Sequence, residues 1–131
     1  MIQVEHLHKS FGDLTVLQDI NLEIRDGETT AIIGRSGSGK SVLMKHFVGL
    51  LTPDQGRVLV DGTDLNTIPY EQLRELRRSF GVLFQGGALF QSMTVYDNVA
   101  FPLREKTKMS EDEVHATVMN ELELMDLQGS E

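Results

Sequence analysis

Between Gly34 and Ser41 the chain reads Gly-Arg-Ser-Gly-Ser-Gly-Lys-Ser. That run satisfies the spacing G-x-x-x-x-G-K-[ST], the P-loop pattern. Each residue type has a physical reason to be there. Glycines at 34, 37 and 39 let the backbone wrap closely, so that successive N–H groups converge on phosphate oxygens. A helix starting near Lys40 presents the positive end of its dipole to the same anion. Lys40 adds a full positive charge for the terminal phosphates, and the Ser41 hydroxyl suits Mg²⁺. Arg35, Lys40, Lys45 and His46 make this stretch a local positive pocket.

The flanking pattern is the setting that this chemistry requires. Thr29-Thr30-Ala31-Ile32-Ile33 reads as a short strand buried on both faces, the kind found in parallel sheets. After the loop, Val42, Leu43, Met44, Phe47, Val48 and Leu50 fit an apolar-rich helix, stopped by Thr52-Pro53-Asp54-Gln55-Gly56. Upstream, Ile2–Leu7 reads as a strand closed by a Phe11-Gly12-Asp13 turn. Ile20, Leu22 and Ile24 alternate with polar residues as a half-buried strand does, ahead of an Asp26-Gly27-Glu28 turn.

Downstream, Arg57–Asp61 and Phe80–Phe84 read as strands. Pro69 opens a helix over Tyr70–Arg78 with Glu71/Arg74 and Glu75/Arg78 at pairing distance. Thr94 is a candidate helix cap, and Pro102 is expected to end or kink the helix after it. Ser110-x-x-Glu113 is a capping box ahead of a stripe at Val114, Val118, Leu122 and Met125, expected to be core.

Composition narrows the function classes. The chain has 131 residues, 40% hydrophobic and 24% charged, as an ordinary folded domain has. It has no cysteine, which excludes disulfides, thiolate zinc sites and iron–sulfur clusters. Twelve Lys and Arg against 20 Asp and Glu give a net charge of -8, so no nucleic-acid partner is expected. No run approaches the ~18 apolar residues of a membrane span, and the start lacks a secretory signal pattern, so a cytoplasmic location is expected.

Several features mislead. Val58-Leu59-Val60-Asp61 imitates a Walker B strand, but Gly62 follows where a catalytic glutamate would stand. Gly86-Gly87 is not an LSGGQ signature, because Gln85 replaces its serine. His6 and His8 would share one strand face but lack a third ligand, so they read as surface residues. A GTPase would need N-K-x-D, which is absent.

Val4–Phe11, the P-loop, Gly49–Leu65 and Phe80–Glu105 together resemble the first half of an ABC-transporter ATPase. The run from Leu83 to Glu105 resembles the subfamily of Mla/Mce-type phospholipid transporters. The resemblance implies an α/β fold of the P-loop type. Residues 1–30 and 56–65 would form an antiparallel β subdomain. Residues 31–55 and 66–85 would form a partial RecA-like core, and 86–131 would begin a helical subdomain.

The resemblance also implies ATP and Mg²⁺ as ligands. Gly34, Arg35, Ser36, Gly37, Ser38, Gly39, Lys40, Ser41 and Val42 would hold the phosphates. Phe11 would stack on adenine, with Val16 beside it. Gln85 would be the Q-loop glutamine, touching metal and attacking water, so that Lys40 and Gln85 are the catalytic candidates and Ser41 and Gln85 the metal ligands. Implied partners are a second copy of the nucleotide-binding domain and a membrane permease contacting residues 86–105, with Leu89, Phe90 and Met93 at that contact. The protein would then sit at the inner face of the plasma membrane. The signature motif, Walker B aspartate, catalytic glutamate and switch histidine fall beyond residue 131 in the family. The sequence is therefore expected to be an N-terminal piece, inactive alone. A structural or regulatory role coupled to cell division is the competing reading.

Overall fold

The computed structural model describes all 131 residues, and they fall into two compact units, Met1–Gly81 and Val82–Glu131. In the first unit, β1 (Ile2–Phe11) and β2 (Leu14–Ile24) form a long antiparallel hairpin closed at Gly12-Asp13. β3 (Gln55–Val60) pairs antiparallel with the other edge of β1, and the short β4 (Thr63–Asp64) pairs with β3. The sheet order is β2-β1-β3-β4. The stretch Val58–Val60 thus lies in an antiparallel ladder between β1 and β4, consistent with its not being a Walker B strand.

The alternation in β2 is real: Ile20, Leu22 and Ile24 are half-buried while Asn21 and Glu23 are exposed. Gly56 has no room for a side chain, since a Cβ there would lie 2.2 Å from the His6 carbonyl oxygen, and its φ is +81°. His6 is left-handed at φ 48° and sits where the β1–β3 register shifts. Its Nδ1 pairs with Asp19 at 2.8 Å, and both residues are exposed, as surface residues are.

Helix α1 (Lys40–Phe47) buries Leu43, His46 and Phe47, an i, i+3, i+4 stripe. Leu43 and Phe47 join Val4, Leu7, Leu17, Val58, Val60 and Leu65 in one apolar core. Helix α2 (Tyr70–Arg77) forms both expected ion pairs, Glu71–Arg74 at 3.9 Å and Glu75–Arg78 at 2.8 Å. Its Arg77 guanidinium donates to the carbonyls of Val48 and Gly49, which α1 leaves unpaired at its C-terminal end.

The second unit is a pair of helices, α3 (Val95–Lys106) and α4 (Glu111–Leu124), around Ala100, Val114, Val118 and Leu122. Thr94 caps α3 by accepting from the Asp97 amide, and the Ser110/Glu113 capping box is fully formed. Arg104 grips the Glu111 carboxylate with two nitrogens and reaches Asp97, joining the two helices.

Three expectations fail, for identifiable reasons. Residues 29–33 form no strand, and Ile33 is 94% exposed while Ile32 packs against the core. Residues 80–84 form no strand either. Both runs have the apolar content of buried strands, but a strand exists through its ladder, and no segment of this chain pairs with either. Met125 is not core: it is the C-cap of α4 and 68% exposed, because the helix winds down one residue short of the stripe's next turn. Pro102 lies inside its helix, which runs on to Lys106.

Candidate phosphate-binding site

The start of α1 is built unlike a self-sufficient helix terminus. The first amides of any α-helix lack intrahelical partners. Here the N-cap is Gly39, which has no side chain to satisfy them, and the first turn contains no acidic residue. The amides of Lys40, Ser41 and Val42 are therefore left as donors at the positive end of the helix dipole.

Gly39 is fixed from behind. Its φ is +89°, a conformation that side-chain-bearing residues rarely adopt. A Cβ at this position would lie 3.0 Å from Val16 Cγ1, 3.0 Å from Leu17 Cδ2 and 3.1 Å from the Val16 carbonyl oxygen. Val16 reaches the loop because β2 bulges there: Lys9 faces Leu17 and Ser10 faces Thr15, leaving Val16 as the extra residue. The hairpin thus supplies the wall against which the loop turns.

The loop between Gly34 and Gly39 is exposed. The Ser38 amide donates to the Arg35 carbonyl at 3.2 Å, closing a tight turn through Ser36 and Gly37, where Gly37 has φ +79°. Lys40 Nζ donates to the carbonyls of Gly34 and Arg35, at 2.7 Å each. The ammonium is therefore held inside the curve of the loop. Ser41 is exposed one residue further on.

His46 does not belong to the positive pocket expected from sequence. It is 1% exposed, on the buried face of α1. Its Nδ1 lies 2.8 Å from the Val42 carbonyl, which makes Nδ1 the protonated nitrogen and leaves Nε2 as a lone pair without a partner. Burial, with Lys9 nearby, holds its pKa below the ordinary histidine value despite the opposing Val42 carbonyl. The cations of this stretch are Arg35, Lys40 and Lys45.

Of the other candidate residues, Phe11 ends β1 beside the hairpin turn and is 47% exposed. Val16 is half-buried against Gly39. Gln85 belongs to the second unit, where it is exposed and opens a turn in which the Gly87 amide donates to the Phe84 carbonyl at 2.8 Å. Leu89, Phe90 and Met93 are exposed by 70%, 49% and 37%. Their loop is ordered by a residue that sequence reading passed over. Asn98 Nδ2 donates to the carbonyls of Phe90, Met93 and Thr94, and Asn98 Oδ1 accepts from the Phe90 amide. The Phe90 ring also meets Phe101 edge-on, at 5.1 Å between centroids.

An α/β chain with a glycine loop feeding an uncapped helix start, backed by an antiparallel hairpin, has the arrangement of a P-loop protein. The ABC transporter family profile matches residues 17–131, and the chain belongs to that family. It is 50% identical over 130 residues to the probable ribonucleotide transport ATP-binding protein mkl of Mycobacterium leprae, covering 99% of this chain and 38% of that protein. It is 41% identical over 130 residues to the intermembrane phospholipid transport system ATP-binding protein MlaF of Haemophilus influenzae, covering 99% of this chain and 49% of that one. A dimeric ATP-binding cassette in a post-hydrolysis state, bound to ADP and Pi, superposes with a TM-score of 0.86 at 30% identity. That match covers 98% of this chain and 59% of the other. The chain thus spans less than half the length of these two relatives. No helix is long and apolar enough to cross a membrane.

Proposed function

We propose that Gly34–Val42 binds the phosphates of ATP and that the chain contributes this half of an ATPase site that powers a membrane transporter. The observation that carries the reading is the start of α1: free amides, no side-chain cap, no acid in the first turn, and Lys40 Nζ inside the loop. Family membership supports it, and so does the ADP and Pi in the similar cassette. Phosphoryl transfer is mostly positioning and charge stabilisation. Lys40 and the loop residues Gly34, Arg35, Ser36, Gly37, Ser38, Gly39, Ser41 and Val42 would supply the phosphate side. Phe11 and Val16 would receive the base. The Ser41 hydroxyl and the Gln85 carboxamide are the hard oxygen donors that Mg²⁺ prefers, and Mg²⁺ would neutralise charge on the terminal phosphates.

Residues 1–30 and 56–65 would act as the β subdomain, 31–55 and 66–85 as the core and 86–131 as the start of a helical subdomain. Two such cassettes would pair, and the exposed Leu89, Phe90 and Met93, within 86–105, would receive a membrane permease at the inner face of the plasma membrane. The cargo we propose is phospholipid or a related hydrophobic compound. Its support is the Leu83–Glu105 run together with the similarity to MlaF.

Hydrolysis by the full-length protein and its Lys40→Ala variant tests the first part. The variant should lose turnover; retention of half the wild-type rate would refute the role of Lys40. Crosslinking a cysteine at Phe90 to the permease tests the second, and failure from every position between Ala88 and Met93 would sink it. For the cargo, phospholipid transfer between vesicles should require ATP and intact Lys40.

A further inference from the structure

We infer that Lys9 and Asp54 are positioning residues for nucleobase binding, acting through Phe11; the inference rests on the reading of Phe11 as the base platform. Lys9 Nζ lies over the Phe11 ring, 5.6 Å from its centroid. A cation at that distance is attracted to the ring face. It also occupies that face, so a base can stack only on the other.

The ammonium is itself held on two sides. It donates to the Thr52 carbonyl at 2.9 Å and to Asp54 Oδ1 at 2.7 Å. The second carboxylate oxygen of Asp54 accepts from the Ser10 amide at 2.7 Å, and the Asp54 amide donates to the His8 carbonyl at 2.9 Å. One aspartate therefore clamps both the strand residue before Phe11 and the cation above its ring. Lys9 is 16% exposed while Asp54 is 45% exposed, so the cation is the more sheltered partner.

The arrangement has a directional consequence. Residues 52–54 follow α1, whose other end carries the phosphate loop. The clamp fixes the end of β1 to the segment leaving α1, and so sets the platform relative to the phosphate site within one unit. A platform held in place before binding loses less freedom when the base arrives. The clamp should matter for ligands that have a base and not for those that lack one.

The test measures affinities of the full-length protein for Mg–ATP and for inorganic triphosphate. Lys9→Gln and Asp54→Asn should each weaken Mg–ATP about five- to tenfold, the size of one lost cation–π or platform contact. Both should leave triphosphate within about twofold. Lys9→Arg, which keeps the charge over the ring, should restore most of the loss. In a Phe11→Ala background Asp54→Asn should have no further effect, because the two act as a unit. Equal weakening of both ligands would overturn the inference, since it would show a general effect on the loop or the fold. So would full additivity with Phe11→Ala, or an unchanged Mg–ATP affinity in Lys9→Gln. Triphosphate binding that survives Lys40→Ala would instead sink the phosphate-site reading. An unchanged ATP-to-triphosphate ratio in Phe11→Ala would sink the platform reading.

Discussion

Helix starts in this chain differ: α2 follows Pro69 with no side-chain cap but carries Glu71 in its first turn. α3 and α4 begin with Thr94 and Ser110, whose hydroxyls accept from the amides of Asp97 and Glu113, and acidic residues fill their first turns. α1 begins with Gly39, no side-chain cap and no acid. α3 and α4 each meet one of their orphan amides with a side-chain cap. α1 has no side-chain cap for its first amides and holds Lys40 Nζ against the loop carbonyls beside them, the arrangement the proposed phosphate site uses. Residue choice at the cap thus distinguishes the capped starts of α3 and α4 from the open start that we propose receives phosphate.

The contrast breaks most severely at Lys40. Lys40→Ala should reduce ATP turnover of the full-length protein by ~10²–10³-fold, the usual cost of removing one electrostatic stabiliser. No comparable loss is expected from any single change at 110–113. Gly39→Ala should come next. It places a Cβ 3.1 Å from the Val16 carbonyl oxygen at φ +89°. The strained backbone should cost about 1–2 kcal/mol in denaturant unfolding, with a loss of nucleotide affinity beside it.

The buried faces differ as well. α4 buries Val114, Val118 and Leu122, which do not titrate, whereas α1 buries His46. The folded pKa of His46 is depressed, so the unfolded chain takes up its proton first as pH falls below about 6.5. Stability should therefore decline on acidification, by up to about 1.4 kcal/mol per pH unit from this group. Urea midpoints from pH 7.5 to 5 should show the decline in the wild type and less of it in His46→Leu. The smallest effect belongs to the cap. Ser110→Ala should cost about 1 kcal/mol of stability and leave nucleotide affinity unchanged.

What was legible in the sequence was what is local. The alternation in β2, the Ser110/Glu113 box, the α2 ion pairs and the glycine spacing all lie within a few residues, and all appear as read. What was not legible depends on distant partners. Residues 29–33 and 80–84 look like buried strands by composition, but pairing is not encoded in the run itself. His46 looked like part of a cationic cluster by proximity in sequence. The 100° step between helix positions instead turns it onto the face shared with Leu43 and Phe47. Lys9 and Asp54 stand 45 residues apart and Asn98 eight from Phe90, so neither connection could be seen without the fold.

The central claim is that the open start of α1, and not the capped starts of α3 and α4, receives phosphate. Backbone amide chemical shifts of the ¹⁵N-labelled full-length protein, titrated with Mg–ATP, test this most directly. The account predicts large shifts at Gly37–Val42 in the wild type, lost in Lys40→Ala, and none at Asp97 or at Glu111–Glu113. Equal shifts at the capped starts, or a silent Gly37–Val42 segment at saturating nucleotide, would contradict it.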